Sequence, residues 1–351
     1  MKIITVTGYY GTGSSAVTDL ITELDNVHSL GDREIRFLHD PHGVSDLEFN
    51  IVENFNRHNS SYAIKHFIKM AKFLNSTCGY KKYAKIFNNK FLEHSYNYVN
   101  DLTAFKYRGS WHYDVIDKGI FFYVLDKTCN KFVAKINCIT KRKLLKPYNC
   151  LNKNEEVVYG VIPDEVNFLN ATKKYTKNLL DELGIGDKEY LMIDQVVASS
   201  NIKRYLRYFS DPVYVFLVDR DPRDLYILDK LYWGGNGFPK SVEEFCKHYE
   251  LIRCTQKQEL KNKEVCYIKF EDLIYKYEDT KGKIFNFIEI NSKHHIQKLK
   301  YFNPNVSINN TQLWLKHLEY KNEIEYIEKN LKEYLYDYSE IPQHKFTSNI
   351  F

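Results

Sequence analysis

Residues 2–17 read KIITVTGYYGTGSSAV, and this short segment indicates the fold class of the whole chain. Its first six residues are mostly β-branched, which is typical of a buried strand, and the apolar spacing after the glycines predicts an amphipathic helix that ends near Leu24. The glycines between the two elements are Gly8, Gly11 and Gly13. A turn of this kind brings main-chain N–H groups and a helix N-terminus together, an arrangement that suits phosphate oxygens.

The loop resembles the nucleotide-triphosphatase pattern GxxxxGK[ST] in the spacing of Gly8 and Gly13, but Ser14 stands where the lysine belongs. Without that cation on the transferred γ-phosphoryl group, an ordinary ATPase or GTPase is disfavoured. A glycine-rich turn with no ligand is the alternative. The loop residues predicted to bind a nucleotide are Gly8, Gly11, Thr12, Gly13, Ser14, Ser15 and Ala16.

Five short apolar segments are predicted as buried strands of a parallel sheet: residues 2–7, 27–30, 190–193, 213–218 and 265–270. Loops and helical patterns follow them, including helices predicted over 242–258, 281–287 and, as a charged surface helix, 318–335. This alternation predicts an α/β doubly wound parallel sheet that binds ligands beyond the carboxyl ends of its strands.

The stretch between the second and third strands is rich in Tyr, Phe, Lys and Asn and has mostly helical periodicity. We therefore predict a core formed by residues 1–45 and 187–351, with a largely helical insertion over 46–186. The insertion holds a basic cluster, Lys141, Arg142, Lys143 and Lys146, which either steers an anionic acceptor or forms a solvated basic face.

The composition of the chain argues against nucleic acid as a binding partner, against a metal site and against a membrane span. The 351 residues include 50 basic and 45 acidic side chains, a net charge of +5, so no basic field of the kind used for nucleic acid is visible. The seven cysteines form no CxxC pair, and no metal site is predicted. No apolar run reaches the roughly 18 residues of a membrane span. These features predict a cytoplasmic protein, compatible with peripheral membrane contact.

A second loop follows the fourth predicted strand, where residues 213–224 read VYVFLVDRDPRD. Arg220 and Arg223 stand at the carboxyl end of this strand, and the guanidinium fork suits a phosphate group. The alternative is a surface turn in which both arginines pair with the neighbouring aspartates. The DxD tripeptide within the segment is too frequent to indicate a metal site.

The glycine-rich loop and the RDPRD segment at 220–224 together resemble the sulfotransferase family, in its bacterial carbohydrate type. Residues 270–273 (FEDL) are similar to the family's YEDL segment, and residues 307–316 (SINNTQLWLK) look like its S-x-x-N-T-x-x-W-x segment. The resemblance covers about the first 40 residues and 188–335. It implies a P-loop-like fold and 3′-phosphoadenosine 5′-phosphosulfate as co-substrate, with the loop on the phosphosulfate and the arginines, above all Arg220, on the 3′-phosphate.

The same resemblance implies transfer of a sulfuryl group to a hydroxyl of a carbohydrate, as in polysaccharide biosynthesis, with the insertion as the acceptor-binding region. Two positions depart from the family. Gly11 aligns with the lysine or arginine that many members carry in the loop, and Leu228 replaces the serine that shares the 3′-phosphate. Another cation would have to stabilise the leaving phosphate.

Candidate catalytic groups follow the second predicted strand, where residues 31–40 read GDREIRFLHD. Tyrosylprotein sulfotransferases have a catalytic glutamate followed two residues later by arginine, and Glu34 and Arg36 are similar. The resemblance implies Glu34 as general base and Arg36 as the replacement cation. His39 is the second choice of base because its ordinary pKa lies near neutrality. Solvated loop residues are the alternative.

Two other functions stay open at this point. One is an atypical kinase that uses ATP and magnesium, which Ser14 and the RDPRD segment disfavour. The other is a non-catalytic nucleotide-binding protein, which Gly11 and Leu228 favour. Lys65 and His66 lie on the next predicted helix and are further candidates for facing the cleft.

Overall fold

The computed structural model describes residues 1–76, 82–109, 117–140 and 156–341. It divides into two units. The sheet unit comprises Met1–Asp40 and Gly184–Phe351, and the helical unit comprises Pro41–Leu183. The basic cluster Lys141, Arg142, Lys143 and Lys146 lies outside the described residues.

A five-stranded parallel sheet forms the centre of the sheet unit. With strands numbered along the whole chain, its members are β1 (Lys2–Gly8), β2 (Val27–Glu34), β5 (Tyr190–Asp194), β6 (Val213–Asp219) and β7 (Val265–Lys269). Their order is β2-β5-β1-β6-β7, and each adjacent pair is parallel. The predicted α/β class with a parallel sheet is confirmed, and all five predicted strands are present.

β1 is the central strand because both of its faces are apolar. Ile3, Ile4 and Val6 are fully buried, as expected for a strand covered on both sides. The chain places β2 and β5 on one side of β1 and then crosses to β6 and β7 on the other. Such a reversal opens a crevice at the carboxyl ends of the strands.

Short helices connect and cover the strands of this unit. They are α1 (Ser14–Thr22), α8 (Ile202–Leu206), α9 (Pro222–Leu231), α10 (Val242–Ile252), α11 (Gln256–Glu259), α12 (Phe270–Tyr275), α13 (Tyr277–Phe287), α14 (Pro304–Ser307) and α15 (Lys321–Asn330). Single 3-10 turns occupy Ser292–His294, Ile308–Asn310, Leu313–Leu315, Leu318–Tyr320 and Lys332–Tyr334. The predicted surface helix over 318–335 is shorter than expected, and its Ile324 and Ile327 are buried because they pack into a core cluster with α9 and α10.

The helical unit contains α2 (Val44–Glu48), α3 (Arg57–Asn75), α4 (Lys82–Ile86), α5 (Phe91–Leu102), α6 (Ile120–Ile139) and α7 (Glu165–Asp181), with a π-helical turn at Phe49–Glu53 after α2. Its core includes the rings of Tyr98 and Tyr175, stacked 4.6 Å apart. An antiparallel pair, β3 (Phe105–Gly109) and β4 (Glu156–Gly160), was not predicted. The five residues of β3 are largely exposed, so they show no burial alternation.

In the described parts of the chain, no helix is both long and apolar enough to cross a membrane.

A buried ion pair fixes the carboxyl end of β6. Arg253 Nη2 donates to Asp219 Oδ1 at 2.6 Å, and Gln256 Nε2 donates to Asp219 Oδ2 at 2.8 Å. The Tyr267 hydroxyl adds a third contact to this carboxylate at 3.2 Å. Both charged side chains are almost fully buried. Asp219, the first residue of the DxD tripeptide, therefore serves the fold and is paired with a cation of the protein itself.

Removal of Arg253 should leave the charge of Asp219 buried without its partner. We expect Arg253→Ala to lower the free energy of unfolding by about 3–5 kcal/mol. Urea unfolding followed by tryptophan fluorescence measures this, since Trp233 and Trp314 both lie in the sheet unit. The matched control is Lys257→Ala, which removes the exposed pair with Glu333 and should cost less than about 1 kcal/mol. Equal costs for the two variants would contradict this account of Asp219.

Candidate functional site

The glycine-rich loop turns sharply between β1 and α1. Tyr10, Gly11 and Gly13 all have left-handed backbones, with φ of 69°, 66° and 84°. A Cβ atom at Gly11 would overlap the Trp233 ring, and one at Gly13 would overlap the Phe270 ring. Glycine is therefore required at both positions by conformation and by space.

The loop ends at the N-terminus of α1. A helix leaves its first N–H groups without intrahelical partners and carries a partial positive charge at this end. Gly13 is the N-cap and offers no side chain to these groups, and the first turn holds no acidic residue. The local field therefore favours an anion at this position.

A cavity of about 500 Å³ adjoins the loop at the carboxyl ends of β1, β2 and β5. This volume lies within the usual range of small-molecule sites, about 300–1,000 Å³. The cavity is lined by Thr7, Gly8, Tyr10, Gly11, Thr12, Ser14, Glu34, Arg36, His39, Gln195, Ala198 and Ser199. The structure thus brings the phosphate-type loop and all three predicted catalytic residues to one cavity.

Some predicted loop residues do not line the cavity through their own atoms. The residues that line the cavity do not include Gly13, Ser15 or Ala16. The Ser15 residue is exposed and Ala16 is buried against the core. Their side chains therefore contribute nothing to the cavity as the structure has it.

Arg36 lies beside Glu34, one of the predicted bases. Its Nη1 lies 3.6 Å from Glu34 Oε2, and its Nε donates to Asp40 Oδ1 at 2.9 Å. The side chain is about half exposed. Two carboxylates thus orient a guanidinium that still faces solvent and the cavity, so it is placed to meet a charged ligand.

His39 is held as a neutral imidazole. Its Nε2 donates to the Gln195 carbonyl at 2.8 Å, which assigns the proton to Nε2 and leaves the lone pair on Nδ1. Burial lowers the pKa of His39, and the hydrogen bond to Gln195 opposes this only in part. A neutral histidine with a lone pair can accept a proton at neutral pH.

Gln195 is a cavity residue that sequence reasoning missed. It follows β5 with a left-handed backbone, φ 56°, which is uncommon for a residue with a side chain. Its Oε1 accepts a hydrogen bond from Thr7 Oγ1 at 3.3 Å, and its carbonyl fixes His39. Its place directly after a buried strand was the available signal, although no motif marks it.

Arg220 follows β6, the parallel neighbour of β1, and reaches the glycine-rich loop at the same edge of the sheet. Its Nη1 donates to the Gly11 carbonyl at 3.4 Å, its Nη2 donates to the Asn310 carbonyl, and the guanidinium lies 4.5 Å from the centre of the Phe270 ring. The residue is 5% exposed. Arg220 Nε is buried and has no hydrogen-bond partner among the described residues. Arg220 therefore contacts the glycine-rich loop but does not line the cavity, and its role at a 3′-phosphate stays a prediction.

Arg223 has a different role from the predicted one. Its Nε and Nη2 donate to the two oxygens of Asp221 at 2.9 and 2.7 Å, and its Nη1 donates to Glu328 at 2.8 Å. The guanidinium also lies 4.0 Å from the Trp314 ring centre. These contacts engage its donors within the fold, so the assignment of Arg223 to the nucleotide is not supported. The salt-bridged alternative applies here, though in a buried setting.

Besides the glycine-rich loop, three segments carry the family resemblance, and these three contact one another. Asp224 accepts hydrogen bonds from the N–H groups of Gln312 and Leu313 at 3.1 and 2.7 Å. Glu271 Oε1 accepts from the Asp221 N–H at 2.9 Å. Residues 220–224, 270–273 and 307–316 are thus joined by direct contacts. Leu228 is fully buried in a core cluster, where it cannot meet a ligand.

Comparison of the chain with protein-family models, with curated proteins and with solved structures finds no match. The function is therefore argued from the site itself.

Among the described residues, no group of three or more His, Cys, Asp or Glu side chains is arranged to hold a metal ion. Lys65 and His66 belong to α3 of the helical unit, where His66 lies 3.1 Å from Asp117.

Two buried carboxyl groups beside Arg220 have raised pKa values. Burial raises the pKa of Glu271 to about 8, with a contribution from the charge of Asp221. Burial likewise raises the pKa of Asp224 to about 7. Glu271 Oε2 is buried without a hydrogen-bond partner among the described residues, which agrees with a carboxyl group that holds its proton.

The raised pKa of Glu271 predicts how stability depends on pH. Between the unfolded pKa near 4.3 and the folded pKa of about 8, the folded chain holds a proton that the unfolded chain has lost. The free energy of unfolding should therefore fall as pH rises through this range, by on the order of 1 kcal/mol per unit from this group. Glu271→Gln should remove that dependence while keeping an acceptor for the Asp221 N–H.

Urea unfolding at several pH values from 5 to 8.5 tests this expectation. The control is Glu243→Gln, which changes an exposed glutamate in the first turn of α10 and should leave the slope unchanged. A Glu271→Gln protein whose stability falls with pH as steeply as the parent would show that Glu271 is ionised in the folded state.

Proposed function

We propose that this chain is a sulfotransferase that moves a sulfuryl group from 3′-phosphoadenosine 5′-phosphosulfate to a hydroxyl group, with a carbohydrate as acceptor. The observation that carries the proposal is the shared cavity. An anion-binding loop and helix N-terminus, a half-exposed arginine and two candidate bases line one space of about 500 Å³. Sulfuryl transfer needs these groups in proximity.

The proposal includes a P-loop-like fold for the sheet unit. Its support is the position of the glycine-rich loop, which follows the central strand β1 and precedes α1. The strand order reverses at the same place, where ligands of doubly wound sheets bind. The phosphosulfate end of the co-substrate would lie against the N–H groups at the start of α1.

The proposed chemistry is an in-line displacement at sulfur. The acceptor oxygen forms a bond to sulfur, the bond from sulfur to the bridging oxygen of the 5′-phosphate breaks, and Glu34 takes the proton of the acceptor hydroxyl. The products are a sulfate ester and adenosine 3′,5′-bisphosphate. Arg36 would stabilise the negative charge that develops on the bridging oxygen, the role for which Gly11 provides no side chain.

We assign the 3′-phosphate to Arg220, on the condition that the guanidinium has a donor group available for it. The guanidinium is engaged by the Gly11 and Asn310 carbonyls. A phosphate would have to replace one of these carbonyls or use Nε, which has no partner among the described residues. A charge-assisted, bidentate bond is stronger than a bond to a neutral carbonyl, so such an exchange is favourable.

The carbohydrate acceptor is assigned to the helical unit on the basis of its aromatic surface. The Phe105 and Tyr107 rings on β3 are 61% and 46% exposed and stack on one another. Exposed rings of this kind offer apolar faces on which sugar rings can pack. The acceptor class also follows from the family resemblance.

Binding of the nucleotide product tests the proposal directly. We expect adenosine 3′,5′-bisphosphate to raise the melting temperature without magnesium, because a ligand of the folded state stabilises it. By isothermal titration calorimetry, Arg220→Ala should weaken binding by about tenfold or more, as expected for loss of a charge-assisted bond. Arg220→Lys keeps the charge without the fork and should be intermediate. Arg57→Ala, a change of an exposed arginine in the helical unit, is the control.

Two results would replace the proposal. Stabilisation by ATP with magnesium, and none by the bisphosphate, would favour a kinase. No response to either nucleotide would favour a non-catalytic protein, consistent with the buried position of Arg220.

The choice of base is tested by turnover. Glu34→Gln should leave the bisphosphate affinity unchanged and lower the rate about 10²-fold or more, the usual effect of losing a general base. The rate is followed as bisphosphate release from 3′-phosphoadenosine 5′-phosphosulfate with a panel of oligosaccharides. His39→Gln is the comparison, since the lowered pKa of His39 would keep it an active base even in mildly acid solution. Normal turnover of Glu34→Gln with loss in His39→Gln would exchange their roles.

A further inference from the structure

Helix α6 of the helical unit exposes an apolar face. At about 100° per residue, the helix places five apolar side chains within a stripe roughly 60° wide. This apolar stripe consists of Phe121, Leu125, Phe132, Ile136 and Ile139, which are 76%, 42%, 63%, 44% and 72% exposed.

The polarity of α6 is inverted relative to an ordinary surface helix. Such helices turn their apolar side toward the core and their charges toward water. In α6, the buried residue is Asp126, at 4% exposure, and the apolar stripe faces out. A contiguous exposed apolar surface marks a site of interaction with another molecule or a membrane.

Basic side chains follow the stripe along one side. Lys127, Lys131 and Lys135 recur every fourth residue, are exposed, and form a row adjacent to the apolar stripe. Residues 120–139 contain no acidic side chain besides the buried Asp126. The exposed part of the helix therefore combines apolar contact area with positive charge only.

We propose that α6 binds an anionic lipid surface. The apolar stripe would enter the boundary between headgroups and acyl chains, and the lysine row would extend to lipid phosphates. A helix of 20 residues is about 30 Å long and would lie in the plane of the interface. The lysine row favours an anionic lipid surface over a second copy of α6, because the exposed part of a second α6 carries positive charge and offers these lysines no acidic partner. This proposal does not depend on the proposed enzymatic function.

Sedimentation of the full chain with lipid vesicles tests the proposal. We expect binding to phosphatidylcholine vesicles that contain about 30% phosphatidylglycerol and weaker binding to phosphatidylcholine alone. Raising the salt from 0.1 to 0.5 M should weaken binding to the anionic vesicles, since the attraction of lysines to the surface is screened.

Variants separate the two parts of the surface. Phe121→Ser with Phe132→Ser should lower the partition coefficient on both kinds of vesicle by at least tenfold, because each ring loses its apolar contact. A triple variant should lower the partition coefficient on anionic vesicles by tenfold or more and leave that on neutral vesicles unchanged; its substitutions are Lys127→Gln, Lys131→Gln and Lys135→Gln. The matched control is Leu251→Ser with Val306→Ser, two exposed apolar residues of the sheet unit, which should change neither.

Every substituted α6 residue is exposed, so circular dichroism should show the parent fold in each variant. Equal binding to neutral and anionic vesicles would overturn the proposal, as would unchanged binding of the phenylalanine double variant. Light scattering gives a third check. A dimer that the phenylalanine double variant converts to a monomer would assign the stripe to contact between copies of the chain and would also overturn it.

Discussion

Buried carboxylates at the carboxyl end of β6 hold the sheet unit together around its cavity. Asp219 binds Arg253, Asp221 binds Arg223, and Asp224 accepts two main-chain N–H groups from residues 312–313. Asp221 also accepts a hydrogen bond from the Tyr336 N–H at 2.9 Å, so each of the three acidic side chains joins residues 219–224 to a distant segment of the chain. Because an unpaired charge in the interior is costly, these contacts stabilise residues 219–224 in the arrangement that has Arg220 beside the glycine-rich turn.

This use of charge divides the cations near the site into two groups. Arg223 and Arg253 are engaged by buried carboxylates, so they stabilise the fold and are withdrawn from ligands. Arg36 and the start of α1 remain at the cavity wall, where a ligand can meet them. The positive groups proposed for catalysis are thus the ones that stay accessible, because Arg36 is about half exposed even though it pairs with Glu34 and Asp40.

Much of the architecture follows from local sequence. The β-branched run before Gly8 and the glycine spacing after it predict a strand, a tight turn and a helix, and the structure has all three. The same reasoning places Glu34, Arg36 and His39 after β2, and they do reach the cavity. It fails for the β3–β4 pair, since the largely exposed residues of β3 lack an alternating pattern, and for Gln195, whose contact with His39 is made by a main-chain carbonyl that any residue would supply.

The sequence by itself determined the parallel sheet and the candidate loops, because apolar periodicity and glycine conformation act over a few neighbouring residues. Only the tertiary structure decided what each arginine does. Arg220 and Arg223 stand in one short motif, yet one contacts Gly11 and the other pairs with Glu328, more than a hundred residues further along the chain. Partners at such separation are selected by the packing of the whole sheet unit, and no local pattern encodes that choice.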